Sequence, residues 1–167
     1  MIPIRSIIVS GVALSKINGE IKILLMKRNK GGFWCHIAGK VEVGEKGWQA
    51  IIREFHEETA IEVQQLYSAD YLEQFYEAEF NVIELIPAFV VYCEENQKIT
   101  LNEEHSEYMW CTLDEAVEKV DFDGQRKLYQ YVWNNFVKKY IANIRVVRIK
   151  LNKKSVFYSI LLLVPLV

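Results

Sequence analysis

Between Gly39 and Ile61 the chain reads GKVEVGEKGWQAIIREFHEETAI, which places Glu45, Glu54, Glu57 and Glu58 around a single Arg53. Carboxylates repel one another, so such a cluster needs a positive partner. Arg53 is one, and carboxylate oxygens are also the preferred ligands of hard divalent cations. A cation held there would draw in an anionic substrate, above all a phosphate chain.

The spacing predicts a helix over residues 46–59. At about 100° per residue, Glu54, Glu57 and Glu58 share one face. Trp48, Ile51, Ile52 and Phe55 gather on another, suited to packing on a sheet. Like charges at this spacing destabilise a helix by about 0.2–0.5 kcal/mol per pair, a penalty that bound Mg²⁺ reverses. Arg53 lies beside the acidic face, within reach of Glu45 or Glu57. Three glutamates alone describe a solvated helix surface equally well; the complete pattern decides.

That pattern resembles the Nudix box, Gly-x5-Glu-x7-Arg-Glu-U-x-Glu-Glu-x-Gly-U, where U is a bulky apolar residue. Gly39, Glu45, Arg53, Glu54, Glu57, Glu58 and Ile61 match as written, and Phe55 fills the first U position as an aromatic. Ala60 stands where the box has its second glycine. A glycine just past a helix end usually turns left-handed. Alanine there either costs on the order of 1 kcal/mol or takes the chain out of the helix differently, and an altered exit is the expectation. Ala60 carries no chemistry, so stability rather than activity is at stake.

The elements that must position the box follow from patterning. Residues 4–14 read as a strand, Asn18-Gly19 as a hairpin turn and 21–28 as the return strand. A polar loop over 29–32 precedes residues 33–38, which lead into the box. Residues 62–78 and 82–94 look like two long strands, with Pro87 suggesting an edge or a bulge. A short strand fits 107–111. Thr112-Leu113-Asp114-Glu115 is a capping box for a short helix. Leu128, Tyr131, Val132, Phe136 and Tyr140 give 124–141 a helical period. Mixed strands with two substantial helices suggest an α/β/α sandwich with a mixed β-sheet between helices, the Nudix fold that the resemblance implies. It covers residues 4 to 140, so the domain expectation is 1–140 with an extension at 141–167.

The 167-residue length suits one domain with a real core. Cys35, Cys93 and Cys111 show no metal-ligand spacing, and their odd number fits a reducing cytosol better than a disulfide framework. The N-terminus, MIPIRSIIVSGVAL, reads as a strand rather than a signal peptide. Charge is lopsided: residues 124–167 hold nine basic residues and no acid. The chain closes on an uncharged, mainly apolar run of 13 residues, Ser155–Val167, short of the roughly 20 needed to span a membrane. A terminal element packed on the domain or on a second subunit, a weak membrane hook and an atypical extension are the open readings of this tail.

Outside the box, Lys27-Arg28 ends the second strand. In similar Nudix enzymes an arginine here binds substrate phosphates, a role suited to its planar fork. Trp34 precedes the box, where it either stacks on a base or joins the core. His36 reads as a satisfied strand residue and His56 as surface. Glu103-Glu104-His105 before Tyr108-Met109-Trp110 resembles the family segment whose loop glutamate enters the metal site opposite the box helix. Glu104 is the choice by its spacing to Trp110, Glu103 the competitor, and Tyr108 and Trp110 are expected in the core.

The resemblance implies hydrolysis of a nucleoside diphosphate linked to another group. In that reading Gly39, Glu54, Glu57, Glu58 and Glu104 hold Mg²⁺, with Mn²⁺ as an alternative. Glu54 or Glu104 takes the proton from water, and Glu57 and Glu58 act mainly as ligands. Arg53 completes the catalytic set, and Arg28 and Trp34 bind substrate. The stretches FWCHIAGKVEVGE and EEHSEYMW, with the non-glycine at 60, most resemble the branch hydrolysing dATP and dihydroneopterin triphosphate to a monophosphate and pyrophosphate. The residues 15–18 past the box, Tyr76, Glu77, Ala78 and Glu79, lack the marks associated with ADP-ribose pyrophosphatases and dinucleoside polyphosphate hydrolases. A nucleotide- or RNA-binding Nudix module is the runner-up, with the basic C-terminal segment as its footprint. The expected partner is a small nucleotide in the cytoplasm, with no stable nucleic-acid partner and homodimerisation left open.

Overall fold

In a computed structural model, residues 1–138 are described in full, together with the backbone of 148–150 and 159–160. The elements run β1 (Ile4–Arg5), β2 (Ile8–Ile17), β3 (Glu20–Arg28), β4 (Trp34–Cys35), β5 (Ile37–Lys40), α1 (Gly47–Thr59), β6 (Leu66–Glu77), β7 (Val82–Tyr92), β8 (His105–Cys111), α2 (Leu113–Lys119), α3 (Asp123–Val132), β9 (Arg148–Lys150) and β10 (Ser159–Ile160).

β2 is the organising strand. It runs antiparallel to β3 and β5 and parallel to β7, so the sheet is mixed. Its side chains alternate between two cores. Val9 and Ala13 join Leu24, Met26, Ile37 and Val91 beneath α1. Val12 and Leu14 join Ile23, Leu25, Val90, Leu128 and Val132 on the opposite face, with α2 and α3. This is the expected α/β/α sandwich. Gly11 lets α1 sit down on β2: a Cβ there would stand 2.5 Å from the Phe55 ring and 2.9 Å from Ile51. Phe55 and Ile51 are fully buried, each contributing about 1.5–3 kcal/mol of apolar burial. That packing fixes the rotation of α1 and hence the direction of its acidic face.

Several local expectations are corrected. The first strand is two, β1 pairing with β7 alone and β2 with its own three neighbours. Of the two readings of Pro87, the edge fails, because β7 lies between β6 and β2, and the bulge agrees with the irregular pairing beside it. Pro87 faces Leu72 next to the register shift between Ser68 and Leu72, and its other side falls between the β1 and β2 pairings, where no ladder bond is lost. The last helix is α-helical only to Val132 and continues as a π-turn over Trp133–Lys138. Tyr129 rather than Tyr131 is fully buried there; Tyr131 rests half-buried on the Tyr71 ring. Tyr108 is exposed on β8 instead of buried, while Trp110 is half-buried against the α1-side core.

The hairpin and cap expectations hold. Asn18 and Gly19 turn β2 into β3 with φ of 50° and 89°. The Thr112 hydroxyl accepts from the Glu115 amide, opening α2. At the far end of the sheet, β9 pairs with the start of β6 and β10 with β9. Beyond these two backbone segments, the basic stretch from Arg145 and the apolar tail lie outside the described residues, as does Tyr140. Among the described residues no helix is long and apolar enough to cross a membrane.

Candidate active site

The site grows from the β5–α1 connection. The Lys46 amide donates to Gln49 Oε1 at 3.0 Å, which starts α1. The helix ends at Ala60 with φ 56° and ψ 23°, and its amide donates to the His56 carbonyl at 2.9 Å. Ala60 thus takes the left-handed exit that glycine would take; the altered exit expected from the sequence does not occur. The alternative cost, on the order of 1 kcal/mol, is the one incurred.

Arg53 is the electrostatic centre. Its Nε and Nη2 donate to the two oxygens of Glu45, each at 3.1 Å. Nη1 donates to Glu54 at 2.7 Å and to Glu57 at 3.0 Å. Nη2 also donates to the Lys40 carbonyl at 2.8 Å, tying the helix to the end of β5. The sequence pointed to Glu45 or Glu57; the structure joins both and adds Glu54 and Lys40. The hydrogen bond from Arg53 holds the Glu45 carboxyl below its usual range.

Glu54 and Glu58 face inward. Burial pushes the Glu54 carboxyl up against the opposing pull of Arg53, and the charges of Glu57 and Glu104 push the same way. Gly39 makes room for it: a Cβ at 39 would lie 1.9 Å from the Glu54 carboxyl. Glu58 is only 3% exposed, and its Oε2 has no hydrogen-bond partner among the described residues. Burial, with Glu54 and Glu104 adding to it, pushes its carboxyl up to about 8, although Arg28 and a hydrogen bond from the Ala38 backbone oppose the shift.

A pH prediction follows. Between the ordinary carboxylate value of 4.5 and about 8, native Glu58 keeps a proton that the unfolded chain has lost. Stability from this group is therefore highest at acid pH and falls as pH rises through that window. In chelator, the wild type should lose on the order of a few kcal/mol more between pH 5 and pH 8 than Glu58→Gln does. Parallel melting-temperature profiles for the two proteins would refute this.

A second group approaches from β3 and the loop before β8. Arg28 Nη2 meets Glu104 Oε2 at 2.7 Å. The Asn29 amide donates to the Glu104 carbonyl at 2.8 Å, and Asn29 Nδ2 to the Glu103 carbonyl at 2.7 Å. Asn102 Oδ1 accepts from the Glu104 amide and stands 3.1 Å from His105 Nδ1. The loop is also tied to α1, through Thr100 to the Thr59 carbonyl and Asn102 to the Glu58 carbonyl. His105 is buried with Nε2 unpartnered; burial and the nearby Arg28 lower its basicity. The sequence points to Arg28 and Glu104 but not to Asn102, which directly precedes the two glutamates, or to Asn29, which directly follows Arg28.

Trp34 and His36 lie on the other face of the sheet. Trp34 is half-buried, with Lys119 Nζ 4.5 Å from its ring centroid. His36 is a satisfied buried residue, as expected, with Nδ1 2.9 Å from the Tyr129 hydroxyl and Nε2 3.2 Å from Glu73. Ser10 also donates to Glu73 at 2.7 Å. Burial pushes the Glu73 carboxyl up, but His36 and Ser10 outweigh it and leave the carboxyl below its ordinary value. These partners are far apart in sequence, and no local pattern announces them. His56 is exposed, 3.2 Å from Glu62.

The donor set suits a hard cation: carboxylates, with a buried, orphaned oxygen on Glu58. Among the described residues, no three His, Cys, Asp or Glu side chains converge closely enough to chelate an ion as they stand. The reason is visible, since Arg53 Nη1 lies between Glu54 and Glu57. Glu54 and Glu57 must turn off Arg53 before they share a cation.

The model of the NUDIX domain family matches residues 7–132. The chain is 32% identical over 130 residues to an octanoyltransferase of Myxococcus xanthus, covering 75% of this chain but only 35% of that protein. It is 30% identical over 114 residues to the asymmetrical bis(5′-nucleosyl)-tetraphosphatase of Caenorhabditis elegans, covering 66% of this chain and 82% of that enzyme. The dihydroneopterin triphosphate pyrophosphohydrolase of E. coli shares its fold at a TM-score of 0.68 and 23% identity, over 80% of this chain and 99% of that one. With the family match spanning the box, the sheet and both helical layers, this chain belongs to the NUDIX domain family.

Proposed function

We propose that this chain is a Mg²⁺-dependent nucleotide pyrophosphohydrolase, with Mn²⁺ as an alternative ion. It hydrolyses the pyrophosphate linkage of a nucleoside triphosphate or related nucleoside diphosphate derivative, releasing nucleoside monophosphate together with pyrophosphate from the triphosphate or the phosphorylated remainder from the derivative. The observation that carries this reading is the orphaned, buried Glu58 oxygen within charge range of Glu54 and Glu104 and beside Arg28.

Glu54, Glu57, Glu58 and Glu104, with the Gly39 carbonyl, would hold the cation. When bound, it supplies charge neutralisation along the phosphate chain and acidifies water. Arg53 holds Glu54 and Glu57 until a cation draws them off, and it keeps α1 in place through Glu45 and the Lys40 carbonyl. Arg28, about a third exposed, offers its fork to a phosphate oxygen pair. Glu54, whose raised carboxyl is poised to accept a proton, or Glu104, on its exposed loop, takes the proton from the attacking water. Trp34 packs on the opposite face of the sheet with Lys119 over its ring, so no stacking role at this site is proposed for it. The catalytic unit is residues 1–140, acting in the cytoplasm on a small nucleotide without a nucleic-acid partner.

The likeness to the bis(5′-nucleosyl)-tetraphosphatase favours a second reading, cleavage of a dinucleoside polyphosphate, which the same carboxylates would serve. One experiment separates the two. The protein is incubated with Mg²⁺ and a panel of nucleoside triphosphates, ADP-ribose and dinucleoside polyphosphates, and the products are identified. Monophosphate plus pyrophosphate from a triphosphate supports the first reading. Preferential cleavage of dinucleoside polyphosphates supports the second. No turnover on any of them, with salt-sensitive RNA binding, would replace both with a binding module.

A further inference from the structure

The loop before β8 carries Glu104 on an arrangement that separates backbone from side chain. The backbone is fastened on two sides. Asn102 Oδ1 accepts from the Glu104 amide at 3.1 Å and from His105 Nδ1, also at 3.1 Å. With Nδ1 donating, the tautomer of the buried imidazole is set. From the β3–β4 side, Asn29 gives its amide to the Glu104 carbonyl and its side chain to the Glu103 carbonyl. The Asn102 amide itself reaches the Glu58 carbonyl at 3.3 Å, so the knot is anchored on the helix that bears the box.

Among the described residues the side chain, in contrast, meets only Arg28, in a pair whose members are 31% and 57% exposed. Such a pair is worth about 0.2–1 kcal/mol. A phosphate that takes the Arg28 fork displaces Glu104 at little cost and leaves its carboxylate free to turn. A side chain released in this way is placed only as accurately as its backbone is held. An error of about 1 Å at a reacting group costs on the order of 100-fold in rate.

We propose that Asn102 and Asn29 are positioning residues that hold the loop backbone so that Glu104, released from Arg28 by substrate phosphate, meets the reacting centre in register. This rests on the reading of Glu104 as a group of that centre. Asn102 is the stronger of the two, since its one oxygen serves both Glu104 and the buried ring of His105.

The test uses the full chain with the best triphosphate or dinucleoside polyphosphate substrate and saturating Mg²⁺. Asn102→Ala is expected to lower kcat by about 10- to 100-fold, with KM and melting temperature near wild type. Asn102→Asp, which keeps the accepting oxygen, should recover most of kcat. Asn29→Ala should lower kcat by a smaller factor, again without raising KM, and it serves alone if Asn102→Ala does not fold. A kcat within twofold of wild type in the folded variants overturns the proposal, as does a loss of kcat that Asn102→Asp does not restore. Glu104→Gln is run beside them. If it is inactive while the asparagine variants are fully active, the positioning role fails and the Glu104 reading stands. If Glu104→Gln is fully active, the Glu104 reading fails and this inference with it.

Discussion

Glu57→Gln is expected to abolish turnover while leaving the fold intact. Glu57 is the most solvent-accessible of the three box-helix carboxylates, with its side chain 52% exposed against 13% for Glu54 and 3% residual exposure for Glu58. Among the described residues its one tie is the Arg53 Nη1 bond at 3.0 Å, which a glutamine oxygen can also accept. Losing an exposed pair of this kind costs about 0.2–1 kcal/mol, so the melting temperature should barely move. The negative charge is another matter. An amide oxygen is a far poorer ligand for a hard cation, and electrostatic stabilisation of several kcal/mol is at stake. Each 1.36 kcal/mol is tenfold in rate, so kcat should fall by about 1,000-fold or more. Steady-state kinetics with a thermal melt decide the matter. Full activity in the folded variant would remove Glu57 from the site.

What could be read from the sequence was what repeats locally. The box helix, its Trp48/Ile51/Ile52/Phe55 stripe and its acidic face depend on residues three and four apart, and the structure buries Trp48, Ile51 and Phe55 and half-buries Ile52. The Asn18-Gly19 hairpin and the Thr112–Glu115 cap are local in the same sense. What escaped depends on contacts across the sheet. The Asn102–Glu104–Asn29 knot joins loops more than 70 residues apart. The His36–Tyr129 contact spans 93 residues. The π-turn after Val132 departs from the 3.6-residue period that the apolar pattern suggested through residue 141. Pro87 signalled the irregular pairing beside it, but its place between two strands rather than on an edge is a property of three strands together. Arg53 sits between these cases: its neighbourhood was legible, but its reach to Glu54 and to the Lys40 carbonyl needed coordinates.

Arg53→Ala should destabilise the protein in chelator and regain stability when Mg²⁺ is added. The guanidinium is bonded to three carboxylates and one backbone carbonyl, and its charge is held even more firmly than in a free arginine, first by Glu45 and then by Glu54 and Glu57. Glu45 and Glu54 are 15% and 13% exposed, so removing Arg53 strands two largely buried anions next to a third. Breaking a buried pair from one side costs about 3–5 kcal/mol. Partial exposure brings the expectation to about 3 kcal/mol, or about 6–12 °C in melting temperature for a domain of this size. The direction of the metal effect is the sharper test. Arg53 Nη1 lies between Glu54 and Glu57, so a cation at those carboxylates competes with it in the wild type and replaces it in the variant. Mg²⁺ should therefore raise the melting temperature of Arg53→Ala by more than that of the wild type. Turnover should still be poor, because a cation restores charge balance but not the link from α1 to the Lys40 carbonyl that fixes the helix against Gly39. Arg53→Lys restores the charge without the fork, so it should recover part of the stability in chelator and little of the activity. If Mg²⁺ stabilises Arg53→Ala no more than the wild type, the cation does not bind where Arg53 sits, and the carboxylates of α1 are structural partners of the arginine alone.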